Sequence, residues 1–213
     1  MLNVGNKIAL GAAWMIGLRL LQRSLGLLST IVLARLLLPA DFGLVAMALS
    51  FYALIELFAM VGFDLAIIRQ QHADREHFDT AWTLGIALKV LVALVLVIGA
   101  PFVASFYDDI RLERVVQVLA LVSFVGALEN IGIVTFRKEM EFDKEFRFQL
   151  AKKLLSVVAT VILAVYFRSY WALILGMLVS ATLGVVLSYL FHPYRPRFSI
   201  KAWREMTGFS LAV

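Results

Sequence analysis

Long apolar runs separated by short polar connections dominate the chain. A helix that crosses a bilayer needs roughly 20 mostly apolar residues. Six stretches reach that length: approximately Ile8 to Leu38, Phe42 to Leu65, Phe78 to Phe106, Val115 to Thr135, Phe148 to Phe167 and Tyr170 to Phe191. Inside lipid every backbone amide and carbonyl must find an internal partner, which leaves helices or a closed barrel. Barrel strands alternate apolar and polar positions, and these runs do not. The predicted fold class is therefore all-α, a polytopic membrane protein whose six-helix transmembrane bundle occupies residues 1–191. Residues 192–213 form a basic connection and the start of another apolar run, Glu205 to Val213, so the chain is expected to be part of a longer protein. Pro39 stops the first helix and Asp41 caps the second through its side-chain oxygen, giving a tight hairpin. Pro101 predicts a kink in the third span.

Composition agrees with a bilayer as the solvent. With 62% hydrophobic residues, 16% charged and a mean hydropathy of +0.90, the chain has too little polar surface to coat a soluble globule. Its net charge of +5 does not point to nucleic acid, because the bases fall mostly in the connections. Lys7, Arg69, Arg75, Arg137, Lys138, Lys144, Arg147, Arg195, Arg197, Lys201 and Arg204 lie on the N-terminal side; Arg35, Arg111, Arg114 and Arg168 lie on the other. Eleven against four predicts a cytoplasmic N-terminus and cytoplasmic even-numbered connections. The first run is too long for a signal peptide and stays as a span. Cysteine is absent, which excludes disulfides, thiol nucleophiles and thiolate metal sites.

Charge inside a membrane is costly, about 2.5–3.5 kcal/mol for a central Arg, Lys or Asp on insertion scales, so intramembrane charges are the candidate chemistry. Arg19 and Arg23 lie one turn apart on the first span, with Gln22, Gly26 and Thr30 on the same stripe. The second span carries Glu56, the third Lys89 and the fourth Glu129 beside Asn130. At about 1.5 Å per residue, Arg19 and Lys89 sit roughly 16 Å in from the cytoplasmic end, and Glu56 and Glu129 roughly 21 Å in from the periplasmic end. Three cations over two anions suit a negatively charged headgroup, since Arg binds phosphate oxygens by paired hydrogen bonds. The structural alternative is ion pairing that only fixes helix packing, Arg19 with Glu56 or Lys89 with Glu129. Asp64, near the cytoplasmic end of the second span, is a further candidate acid. The connection from Phe136 to Arg147 predicts an interfacial helix with pairs Arg137–Glu141 and Asp143–Arg147. Lys152 and Lys153 are expected to anchor the fifth span on lipid phosphates. His72 and His77 match no metal motif, and neither a nucleophile elbow nor a phosphate-cradling loop occurs, so no catalytic residue, metal or cofactor is expected.

The segment Leu36-Leu37-Leu38-Pro39-Ala40-Asp41-Phe42-Gly43-Leu44-Val45-Ala46-Met47-Ala48, with Ala34-Arg35 before it and Gly62-Phe63-Asp64-Leu65-Ala66-Ile67-Ile68-Arg69-Gln70 after it, resembles the N-terminal end of the polysaccharide flippases. These O-antigen and exopolysaccharide transporters belong to the multidrug/oligosaccharidyl-lipid/polysaccharide exporter superfamily. The connection from Phe136 to Arg147 also resembles the family's cytoplasmic Arg and Phe segment after the fourth helix. The resemblance implies a non-enzymatic transporter of the bacterial inner membrane. Its substrate would be a polyprenyl-pyrophosphate-linked oligosaccharide used for lipopolysaccharide or exopolysaccharide biosynthesis. It implies that Arg19, Gln22 and Arg23 hold the pyrophosphate with help from Lys89. Glu56, Asp64, Glu129 and Asn130 would tune that site or exchange a coupling ion. Partners are then the lipid-linked oligosaccharide, membrane lipid and a second six-helix bundle, on the same chain or by self-association. A cation-coupled multidrug exporter of the same superfamily, a membrane-bound glycan polymerase or ligase and an inactive fragment are the alternatives.

Overall fold

The computed structural model describes residues 4–58, 67–68 and 74–203. Its helices are α1 (Val4–Leu36), α2 (Pro39–Phe58), α3 (Arg75–Phe106), α4 (Arg111–Ala127), α5 (Val134–Lys138), α6 (Phe142–Phe167) and α7 (Trp171–Phe191), with a 3-10 turn at Ile131–Ile133 before α5. No strand occurs among the described residues. Five of these helices, α1, α2, α3, α6 and α7, are long and apolar enough to cross a membrane. The protein is an all-α polytopic membrane protein.

The fourth predicted span differs in form. In place of one helix from Val115 to Thr135, α4 meets the 3-10 turn and α5 at a bend of 64°. Side chains from neighbouring helices take up the backbone groups that the break releases, as a bend at membrane depth requires. Trp82 Nε1 donates to the Glu129 carbonyl at 3.1 Å. The Asn130 amide donates to Ser188 Oγ at 2.9 Å, and Asn130 Oδ1 accepts from the Gly132 amide at 2.9 Å.

The first hairpin also differs in detail. Pro39 opens α2 instead of ending α1, because its fixed φ and missing N–H suit a first helical turn. Asp41 therefore lies inside α2, where its Oδ2 accepts from the Leu38 amide at 3.0 Å. The second span begins at Pro39, and its predicted end at Leu65 lies outside the described residues. α3 runs unbroken through Pro101.

The helices pack as two groups joined by one seam. α3 lies along α4 and α2 covers both; α6 lies along α7 and carries α1; α4 against α7 joins the groups. The seam and the first group share a core of Leu44, Ala48, Leu96, Leu112, Val115, Val116, Leu119 and Ile174. α1 buries Leu18 and Leu33 against its neighbours, as does Leu37 just after it, while Ile16, Leu20, Leu27, Leu28 and Ile31 remain exposed. In a bilayer such faces meet acyl chains, so their exposure carries no penalty.

The predicted interfacial helix from Phe136 to Arg147 is broken in two. Met140 adopts φ 58°, a left-handed conformation that ends α5 and turns the chain into α6. The predicted pairs are exchanged in consequence. Arg137 binds Glu145 at 2.6 Å and Lys144 binds Glu141 at 2.6 Å.

Candidate functional site

A cavity of about 860 Å³ opens within the bundle, between α2 and α4 on one side and α6 and α7 on the other. Its apolar lining includes Phe42, Val45, Leu49, Val122, Leu173 and Met177. Its polar lining is Tyr52, Lys89, Ser123, Glu129, Lys152, Ser156, Thr160 and Ser180. The polar groups come from short runs of helical spacing. Lys152, Ser156 and Thr160 repeat every four residues on α6, and Gly176, Ser180 and Gly184 do so on α7. The two stripes face each other with no room to spare: a Cβ on Gly176 would lie 2.5 Å from Thr160 Oγ1, and one on Gly184 would lie 2.6 Å from Lys152 Cε.

Two ion pairs flank the cavity. Lys89 of α3 reaches across to Glu56 of α2, and Ser123 Oγ of α4 donates to the other Glu56 oxygen at 2.7 Å. Lys152 of α6 binds Glu129, at the break after α4, at 2.8 Å. The sequence singled out Glu56, Lys89 and Glu129, and the structure brings all three to this site. The expected pairs Arg19–Glu56 and Lys89–Glu129 do not form; α2 lies against α3, which hands Glu56 to Lys89. Lys152 does not anchor on lipid phosphates. It turns inward because Gly184 leaves space for its side chain, and it takes Glu129 as partner.

The remaining candidates lie elsewhere. Arg19 and Arg23 are exposed on α1, do not line the cavity and form no ion pair with any described residue. Gln22 is half-buried, on the helical stripe that carries Leu18 and Leu33. Asn130 is fully buried and spends its side chain on the Gly132 amide and the Tyr194 carbonyl. It serves the bend, not the cavity. Asp64 and His72 lie outside the described residues; His77 Nδ1 accepts from the Asp74 amide at the start of α3. The groups that sequence reasoning missed are Tyr52, Ser123 and the Lys152–Ser156–Thr160 stripe. The stripe was readable as an i, i+4, i+8 polar line on an otherwise apolar span; Ser123 had no such signal.

Residues 32–213 match the family described as polysaccharide biosynthesis protein. The chain belongs to that family. It is 25% identical over 175 residues to the succinoglycan biosynthesis transport protein ExoT of Rhizobium meliloti (strain 1021), a match covering 82% of this chain and 35% of that protein. It is 24% identical over 211 residues to the lipopolysaccharide biosynthesis protein WzxC of Escherichia coli (strain K12), covering 99% of this chain and 42% of the relative. The teichuronic acid biosynthesis protein TuaB of Bacillus subtilis (strain 168) is 24% identical over 96 residues, covering 45% of this chain and 20% of TuaB. This member of the family thus spans less than half the length of the curated relatives it matches. No solved structure matches the chain.

Proposed function

We propose that the chain forms part of a flippase-type transporter, without enzymatic chemistry of its own. It would move polyprenyl-pyrophosphate-linked oligosaccharide across the bacterial plasma membrane for polysaccharide biosynthesis. The observation that carries this reading is a cavity with two ion pairs on its walls, set among helices whose outward faces are apolar, in a chain of this family. Lipid-facing packing alone does not call for charge at that depth. Within this proposal the anionic diphosphate meets Arg19 and Arg23 on the exposed face of α1, outside the cavity of this bundle, on a surface shared with a second bundle. Unlike Lys89 and Lys152, these two have no carboxylate to satisfy them among the described residues. Gln22 supports them from the same helix, and the paired lysines and carboxylates set the polarity of the interior. A second six-helix bundle, on a longer chain or another copy, completes alternating access. In the same proposal that end and the N-terminus face the cytoplasm, a reading supported by the excess of basic residues beside Arg75, Arg137 and Arg195.

The test is made in the full-length protein, reconstituted in vesicles with a fluorescent lipid-linked oligosaccharide. Arg19→Gln with Arg23→Gln is expected to reduce flipping at least about tenfold, the loss of roughly one charge-assisted interaction, while abundance and topology hold. Normal flipping by the double variant overturns the headgroup role. Translocation of cationic drugs but not of the glycolipid would move the chain to the multidrug class. Reporter fusions after Arg111 and after Arg147 are expected on opposite sides of the membrane, with the second in the cytoplasm.

A further inference from the structure

Residues 192–203 leave α7 as irregular chain, end in a turn at Lys201 and Ala202, and return across the start of α3. Side chains of α3 hold this strap in place of a backbone ladder. Asp79 Oδ1 accepts from the Tyr194 hydroxyl at 2.7 Å and from the Arg197 amide at 2.9 Å. Thr83 Oγ1 accepts from the Ser199 amide at 3.0 Å, and Thr80 Oγ1 from the Ala202 amide at 3.2 Å. Asp79 and Thr80 are buried beneath the strap. Burial and the hydrogen bond to Asp79 push the Tyr194 hydroxyl above its ordinary range, so it remains a donor.

The other half of the seat is the notch of the bent span. Asn130 Nδ2 donates to the Tyr194 carbonyl at 2.7 Å while Asn130 Oδ1 holds the Gly132 amide, so one side chain ties strap and bend together. Gly132 leaves the space in which the strap rests: a Cβ there would collide with the His192 ring and lie 2.7 Å from Tyr194 Cβ. Thr135 Oγ1 donates to the Gly132 carbonyl and meets His192 Nε2 at 3.1 Å. Outward, Phe198 and Ile200 are exposed.

We propose that the strap is a releasable wedge: docked, it keeps the fourth span bent at 64°, and released, it leaves that span free to straighten. Its attachments are side-chain hydrogen bonds, which water can replace at small net cost, and a small apolar patch in which Tyr194 and Ala202 pack on Phe78 and Trp82. With no backbone ladder and no helix of its own, the strap is secured less firmly than the α3–α4 interface. The notch and the strap exclude each other's alternatives, because a straight span has no gap at Gly132 to receive His192.

The protein has no cysteine, so introduced thiols are unique. The full chain in lipid vesicles carries spin labels at Gln117→Cys and Glu139→Cys, both exposed, one on each arm of the bend. At about 1.5 Å per residue the labelled positions lie about 33 Å apart along a straight helix and about 28 Å apart across the bend. In a separate sample Ala202→Cys, a strap position that is buried against α3 while the strap is docked, reports release by its rate of reaction with a maleimide. Asp79→Ala with Thr80→Val and Thr83→Val detaches the strap without removing a bond to the bend. The expected result is maleimide labelling faster on the order of tenfold, together with a shift of the spin-label distance toward the longer value. Unchanged labelling overturns the latch, and faster labelling with an unchanged distance overturns the wedge. Gly132→Ala, which fills the notch, is expected to reproduce both effects and decides the matter if the triple variant does not insert. Neither readout involves transport, so the result is independent of the proposed substrate.

Discussion

The two walls of the cavity solve the same problem by opposite means. On the α2–α3–α4 side, Glu56 is held by a cation, Lys89, and by two hydroxyls, Ser123 and Tyr52. On the α6–α7 side, Glu129 has Lys152 and no second side-chain donor among the described residues, and the pair exists because Gly184 leaves room for the lysine. One wall adds hydroxyls; the other removes a side chain. A carboxylate with several donors tolerates losing one, whereas a carboxylate with a single partner does not.

The largest difference between the walls is expected from the lysines. Lys152→Met leaves Glu129 without its cation and is expected to cost about 3 kcal/mol, against about 2 kcal/mol for Lys89→Met, where Ser123 still serves Glu56. Unfolding midpoints of the two variants in one detergent check the order, and equal losses would remove the distinction between the walls. Gly184→Ala comes next, at about 1–2 kcal/mol, because the flexible end of Lys152 can yield to the new methyl only by leaving Glu129. Adding Lys152→Met to Gly184→Ala should then cost less than Lys152→Met alone, a non-additivity that a double-mutant cycle measures directly.

The smallest effect lies at the end of the Glu129 wall, beyond the bend. Burial holds the His192 imidazole below its ordinary value of 6.5, against Glu139 and Glu141, which draw it up, while Lys144 and Arg195 push it down. His192 Nδ1 accepts from the Tyr194 amide, so the neutral ring is the form that fits. A depressed folded-state value means that its contribution is complete above pH 6.5 and is lost as pH falls through the folded value. Hydrogen-exchange protection around Tyr194, taken relative to the intrinsic exchange rate at each pH, should fall between pH 7 and pH 5, and His192→Gln should flatten that dependence.

Much of this architecture was legible in the sequence because bilayer thickness sets span length. The apolar runs marked α1, α2, α3, α6 and α7, and the charges Glu56, Lys89 and Glu129 marked the interior. Their partners were not legible, since pairing depends on which helices touch and on rotation about their axes. Glu56 met Lys89 because α2 lies on α3, a fact of tertiary packing. Lys152 read as an interfacial anchor because hydropathy near a helix end cannot distinguish a lysine turned outward from one admitted by a glycine on the next helix. The bend in the fourth span was hidden for a related reason: Leu128-Glu129-Asn130 becomes a break only when Trp82 donates to its loosened backbone and Ser188 and Tyr194 accept from Asn130. Arg19 and Arg23 were found as charges, and their place on α1 outside the cavity required the structure.

The attachment of α1 sets an order of events during synthesis. Its main neighbour is α6, and the Asp41 turn that closes its hairpin is completed by the Tyr170 amide, which donates to Asp41 Oδ1 from 129 residues further along. A ribosome adding about 5–20 residues per second needs several seconds to cover that distance. Throughout that interval the nascent first helix, with both its arginines, waits for α6, the helix it packs against most. Its own apolar length, and not the finished bundle, holds it in the bilayer until α6 and α7 arrive.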